Sequence, residues 1–143
     1  VVLADGGFAP TSLIFKLWID KIEEFKNKSD FRGFIFDGSP RKILEAHLID
    51  ETLEWYGWKD SVKVFLLDVP RQTAFDRLVK RGRADDLPET INNRLDLYEK
   101  EVQPVIDYYK KVGRLTEIDG DQDIEKVSQN ILEVLNLLNM GVN

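Results

Sequence analysis

The residues with the most chemistry to offer are arginines. Arg77, Arg81 and Arg83, with Lys80 among them, crowd the stretch RLVKRGRADD, and Arg94 follows in the next helical segment. Arg77 and Arg81 are four apart and share a helical face, an arrangement that is mildly repulsive without an anion. Guanidinium forks bind phosphate oxygens through paired, charge-assisted hydrogen bonds. Several of them around one closing loop suit phosphoryl transfer, whose transition state spreads charge over several oxygens. That reaction asks the protein for positioning, electrostatic stabilisation and exclusion of water. The alternative is local pairing, since Asp85, Asp86 and Glu89 stand close enough in sequence to neutralise the same arginines.

A second stretch, GFIFDGSPRK from Gly33 to Lys42, places an Asp at the end of an apolar run, then Gly38, Ser39, Pro40 and Arg41. Gly38 permits a turn other residues resist, Ser39 is a helix-capping type, and Pro40 suits a first helical turn. Arg41 would then project from a helix N-terminus, where free N–H groups and the helix dipole favour a phosphate. Taken alone, the stretch reads as an ordinary strand-to-helix turn with an exposed Arg. The second basic region shifts the balance to a phosphate site.

The elements that must position these residues follow from periodicity. Apolar residues at helical spacing predict a helix from Pro10 to Lys28, with Ile14, Leu17, Trp18, Ile22 and Phe25 on one face. Gly33–Asp37 is a continuous apolar run of the kind buried in a parallel sheet. A helix from Pro40 to Tyr56, a strand over Val62–Asp68 and a helix from Pro70 to Arg81 come next. GRADDLP reads as a loop, with Asp86 or Leu87 capping a long helix from Pro88. Its core face is Ile91, Leu95, Val102, Val105 and Tyr109; Pro104 should kink it and Gly113 end it. A strand over Leu115–Asp119 and a last helix with Ile124, Val127, Ile131, Leu135 and Leu138 on its core face complete the chain. Alternating strands and helices predict an α/β fold, a parallel sheet with helices on both faces. Ligands of such sheets sit beyond the carboxyl ends of the strands, and all three predicted strands end in an acid: Asp37, Asp68 and Asp119.

Composition narrows the class. The chain has 143 residues, 43% of them hydrophobic, enough for one domain with one core. A net charge of -6 argues against a nucleic-acid partner, which usually requires a basic surface. There is no Cys, no apolar run near the roughly 18 residues of a membrane span, and no signal-peptide pattern at the start. The expectation is a soluble, cytoplasmic protein. His47 reads as structural or solvated, and Trp55, Tyr56 and Trp58 as core and edge packing. Asp119, Asp121 and Asp123 do not make a Ca²⁺ loop, because its sixth and twelfth positions would be Ile124 and Asn130.

With these motifs assembled, the chain resembles the later part of the adenylate kinase family. The likeness runs from about Asp5 to Leu138 and is carried by GFIFDGSPR, RGRADD, Asn93 to Tyr98, PVIDYY from Pro104 to Tyr109, and IDG from Ile118 to Gly120. It implies a P-loop NTPase-like fold and the reaction ATP + AMP = 2 ADP with Mg²⁺, in a monomer. By resemblance, Phe8, Ala9, Gly38, Arg41 and Glu45 belong to the AMP side, Arg41 holding the AMP phosphate. Arg81, Arg83 and Arg94 clamp the transferring phosphoryl group. Arg77 lies against the ATP adenine, whose rim is Gly120, Gln122 and Ile124. Asp85 and Asp86 position the arginines, and Asp37 organises Mg²⁺ through water. The implied division is an acceptor region with its following core elements over 5–57, a very short lid over 82–87, and core over 58–81 and 88–143.

Two departures stand out. None of the nine glycines is followed by Lys, so the family's phosphate loop, Gly-x-x-x-x-Gly-Lys, is not in this sequence. The expectation is an N-terminally truncated chain, lacking the first strand and the loop and inactive by itself. Glu45 stands where the family usually has a Gln that reads adenine. An ionised Glu only accepts hydrogen bonds, which suits guanine at least as well. AMP is the expected acceptor; a kinase for GMP, CMP or UMP, or a nucleotide-binding module without catalysis, are the alternatives.

Overall fold

The computed structural model describes residues 7–140, with side chains as far as 136. Five helices, α1 (Thr11–Phe25), α2 (Ile43–Trp55), α3 (Arg71–Arg81), α4 (Pro88–Lys111) and α5 (Ile124–Met140), accompany two strands, β1 (Val64–Asp68) and β2 (Leu115–Asp119). The strands pair in parallel, from Val64 opposite Leu115 to Asp68 opposite Asp119, so both acids sit at the same carboxyl end. The architecture is α/β, as the alternation predicts.

The long helix α4 shows how sequence pattern becomes packing. Its buried residues are Ile91, Val102, Val105 and Tyr109, the face expected from periodicity. The helix runs unbroken across Pro104 and stops ahead of Gly113, whose amide bonds the Lys110 carbonyl while the Arg114 amide bonds that of Tyr109. Val105 and Tyr109 pack on Ala46 of α2, with Val64 and Leu115 from the strands alongside. Each fully buried side chain of this size contributes about 1.5–3 kcal/mol. Beside this core, Asp50 of α2 accepts hydrogen bonds from Tyr108 (2.6 Å), Tyr109 (3.4 Å) and Arg114. That carboxylate ties α2 to the end of α4 and to the entry of β2. Burial raises the Tyr109 hydroxyl well above its ordinary range, keeping it a neutral donor.

Several expectations need correction. Gly33–Asp37 forms no strand: no ladder bonds reach it, and Ile35 is 98% exposed. A run of this kind becomes sheet only where a neighbour takes its N–H and C=O groups, and none does so among the described residues. The period-two alternation survives. Phe34 and Phe36 turn inward, Phe36 edge-on to Trp18 (5.6 Å) and Phe34 against Phe31 (4.9 Å). Helix α2 starts at Ile43 rather than Pro40, with Lys42 at the cap position and Ser39 uninvolved. Arg41 therefore precedes the helix. The last helix leaves Ile124 83% exposed, because that residue opens the helix beyond the reach of the core; Leu138 lies past the described side chains. Trp55 is 85% exposed, while Tyr56 stacks on Trp58 (5.0 Å). No helix among the described residues is long and apolar enough to cross a membrane.

Candidate active site

The loop between α3 and α4 is organised by one carboxylate. Asp86, its side chain fully buried, accepts from Arg81 Nε (2.9 Å) and Nη2 (2.6 Å), from Arg94 Nη1 (3.1 Å) and from the Arg83 amide (3.0 Å). Asp85 takes the other arm of Arg94. The local reason is spacing: Arg81 ends α3, the loop turns back within five residues, and Arg94 lies two turns into α4. Spending Asp86 on the arginines leaves Leu87 as the α4 cap, without a side-chain bond, and Pro88 in the first turn.

Hydrogen bonds from Arg81, then from the Arg83 backbone, hold the Asp86 carboxyl far below the usual carboxylate range. The hydrogen bond from Arg94 lowers Asp85 likewise, and the bond that Arg81 donates to Asp86 raises Arg81. Both acids are thus ionised and both guanidiniums are oriented. Arg83 projects from the loop, its side chain in no hydrogen bond or ion pair among the described residues.

A second set lies at the carboxyl end of the sheet. Arg77 reaches from α3 to the carbonyls of Gly120 (2.8 Å) and Gln122 (3.3 Å), with Asp121 at 3.6 Å. Gly120 is buried where the strands end, its amide on the Asp68 carbonyl at 2.7 Å. A Cβ there would meet Val69 Cγ2 at 2.6 Å and the Asp68 carbonyl at 3.0 Å, so this rim requires glycine. Ile124 follows it, exposed.

The third set surrounds Arg41. Gly38 has φ 64°, the left-handed turn that suits glycine, and its carbonyl accepts from Arg41 Nε at 2.6 Å. The guanidinium lies over the Phe8 ring at 5.3 Å. Lys42 Nζ bonds the Ala9 carbonyl at 3.5 Å, and Glu45 accepts from the Arg41 amide at 2.8 Å and from the Thr11 hydroxyl at 3.4 Å. Thr11 and Lys42 escaped the sequence reading, since no local pattern links the start of α1 to that of α2.

The predicted residues therefore gather in three sets: Arg81, Arg83, Arg94, Asp85 and Asp86; Arg77, Gly120 and Gln122; Phe8, Ala9, Gly38, Arg41 and Glu45. The Arg41 set shares no hydrogen bond or ion pair with the other two among the described residues. A groove of about 530 Å³ runs between α1 and the 31–39 segment, lined by Leu17, Trp18, Ile22, Phe34, Phe36 and others. It includes Asp37 but none of the arginines, and its aromatic lining does not suit a phosphate.

Comparison with known proteins identifies the family. Residues 1–114 match the family described as Adenylate kinase. An adenylate kinase of Azobacteroides pseudotrichonymphae is 36% identical over 137 residues, covering 93% of this chain and 70% of that protein. Adenylate kinase 1 of a Nostoc species is 35% identical, covering 91% and 68%. An adenylate kinase of Prochlorococcus marinus is 38% identical over 102 residues, 71% of this chain and 56% of the relative. The chain thus spans between a little over half and about seven-tenths of the length of these relatives. By its motifs, its parallel α/β core and these matches, the chain belongs to the adenylate kinase family, the nucleoside monophosphate phosphotransferases.

Proposed function

We propose that this chain supplies the acceptor side, the arginine clamp and the adenine rim of an enzyme catalysing ATP + AMP = 2 ADP. One observation carries the reading. Arg81 and Arg94, from separate helices, converge on the buried Asp86, so two guanidiniums are pre-oriented in one place. Asp86 and Asp85 occupy only part of each fork, and the remaining N–H groups are available to phosphate oxygens. With Arg83 added, three arginines stand against two acids, leaving net positive charge where negative charge develops.

In the transfer, an oxygen of the AMP phosphate attacks the terminal phosphorus of ATP, and the bond to the ADP bridging oxygen breaks. Arg41 holds the acceptor phosphate and Phe8 and Ala9 flank its base. Arg81, Arg83 and Arg94 neutralise the migrating group, and Arg77 with Gly120, Gln122 and Ile124 frames the ATP adenine. Residues 82–87 act as the lid. No covalent enzyme intermediate is required. The Gly-x-x-x-x-Gly-Lys cradle is not among these 143 residues.

Mg²⁺ fits only indirectly. No three metal-ligating side chains gather among the described residues. The exposed Asp37 carboxylate, with no partner among them, suits contact through water with an ion carried by the nucleotide; the bound ion would neutralise phosphate charge. The acidic net charge supports a soluble small-molecule kinase, working as a monomer without a nucleic-acid partner, and its place would be the cytoplasm.

The test is turnover of the full-length protein with AMP, GMP, CMP and UMP. AMP should be preferred. Arg94→Ala and Arg41→Ala should each lower kcat/KM by roughly two orders of magnitude or more, and His47→Ala should leave it unchanged. Near-normal rates in both arginine variants would refute the clamp.

A further inference from the structure

Resting on that function, we infer that Glu45 is a positioning residue that fixes Arg41, and does not read the acceptor base. Glu45 is only 3% exposed, and both of its oxygens face the protein. Oε2 accepts from the Arg41 amide at 2.8 Å and Oε1 from the Thr11 hydroxyl at 3.4 Å. The carboxylate lies in the first turn of α2, where the helix dipole favours it.

The chemistry of the alternative is demanding. To read guanine, the two oxygens must accept from the ring N–H and the exocyclic amine together, so the Arg41 amide and the Thr11 hydroxyl both have to give up the carboxylate they now share. To read adenine, one donor is needed, and an ionised carboxylate has none. In its present role the same carboxylate joins three segments. Thr11 begins α1 just after Phe8 and Ala9, Arg41 closes the Gly38 turn, and Glu45 belongs to α2. Among the described residues, Arg41 also bonds the Gly38 carbonyl and lies on the Phe8 ring face, neither of which holds its backbone. Glu45 thus sets the backbone from which the phosphate-holding guanidinium departs. Base selectivity must then come from elsewhere on the acceptor side.

The experiment compares wild type, Glu45→Gln and Glu45→Ala in the full-length protein, with AMP and GMP as acceptors. Gln keeps one carbonyl oxygen for the Arg41 amide. It should leave the AMP-to-GMP ratio of kcat/KM within about twofold of wild type. Ala should raise KM for both nucleotides in parallel by roughly tenfold, the scale of one lost hydrogen bond to a charged group, with KM for ATP unchanged. A shift of the ratio by tenfold or more in Glu45→Gln overturns the inference, as does an unchanged KM in a folded Glu45→Ala. A merely structural role would lower the folded fraction and leave KM alone. If the alanine variant does not fold, the ratio in Glu45→Gln decides.

Hydrogen exchange at the Arg41 amide separates this inference from the function it rests on. That amide should be protected in wild type and Glu45→Gln, and in any folded Glu45→Ala it should exchange faster. Rapid exchange in wild type would overturn the inference whatever the enzyme phosphorylates. Protection with no turnover of AMP would overturn the proposed function and leave the Glu45–Arg41 contact standing.

Discussion

Around Asp86 the guanidiniums of Arg81 and Arg94 are held by carboxylates, and the carboxylates sit in a short loop whose two ends are helices packed on each other. Around Arg41 the guanidinium is held by a backbone carbonyl and an aromatic face, beside a segment that bonds to no strand among the described residues. Both regions are proposed to grip phosphate, yet one is positioned by charge and the other by main-chain geometry. The lesson concerns sensitivity. A charge-anchored site responds to protonation, and a backbone-anchored site responds to whatever alters the turn that carries it.

Substitutions in the two regions should separate accordingly. The largest contrast is in packing. Ile91, fully buried near the foot of α4, should cost about 2–5 kcal/mol as Ile91→Ala. Ile35→Ala, beside Arg41 in sequence and almost wholly exposed, should stay within about 0.5 kcal/mol. Chemical denaturation of both variants checks this, and a large loss at Ile35 would mean that the 33–37 segment is packed after all.

The glycines give the next contrast. Gly120→Ala drives a methyl into Val69 and the Asp68 carbonyl, and should cost about 1–3 kcal/mol. At Gly38 the added methyl meets only the movable end of Arg41, at 2.9 Å, so the left-handed backbone dominates, at about 1–2 kcal/mol. Gly38→Ala should also weaken AMP binding more than ATP binding, whereas Gly120→Ala should do the reverse. Equal effects on both nucleotides would erase the distinction between acceptor and donor rims.

The smallest effect is in pH, because the arginines that face Asp86 are partly solvated and screened. A carboxyl held below its ordinary value of 3.8 stabilises the fold above that pH, and the contribution is lost as pH falls beneath it. The stability gap between wild type and Asp86→Asn should therefore be full near pH 6 and narrow progressively below about pH 4. A gap that stays constant down to pH 2 would show that Asp86 acts through shape rather than charge.

Much of this was legible from letters alone, for a local reason. The buried face of α4, the bounds of β2 and the acids that end β1 and β2 depend on residues within a turn or two of one another. Spacing reports such neighbours directly. The pairing of Asp85 and Asp86 with Arg81 and Arg94 was also foreshadowed, since only a short loop separates them. Three features were not legible. A five-residue apolar run at Gly33–Asp37 carries no information about whether a neighbour completes its ladder. Ser39 reads as the cap of α2, yet the helix begins at Ile43, and Glu45 in its first turn bonds Thr11 of α1, a contact across the molecule that no local pattern reports. Ile124 fits the helical stripe of α5 and still falls beyond the core it points along.

What the amino-acid order determined by itself was the class of chemistry and the alternating elements, because guanidinium spacing, glycine turns and apolar period are properties of adjacent residues. What only the folded molecule decided was which acid orients which arginine, and that Glu45 turns inward to Arg41. Those outcomes depend on segments far apart in the chain competing for the same few hydrogen-bonding atoms, and burial makes an unpaired one costly.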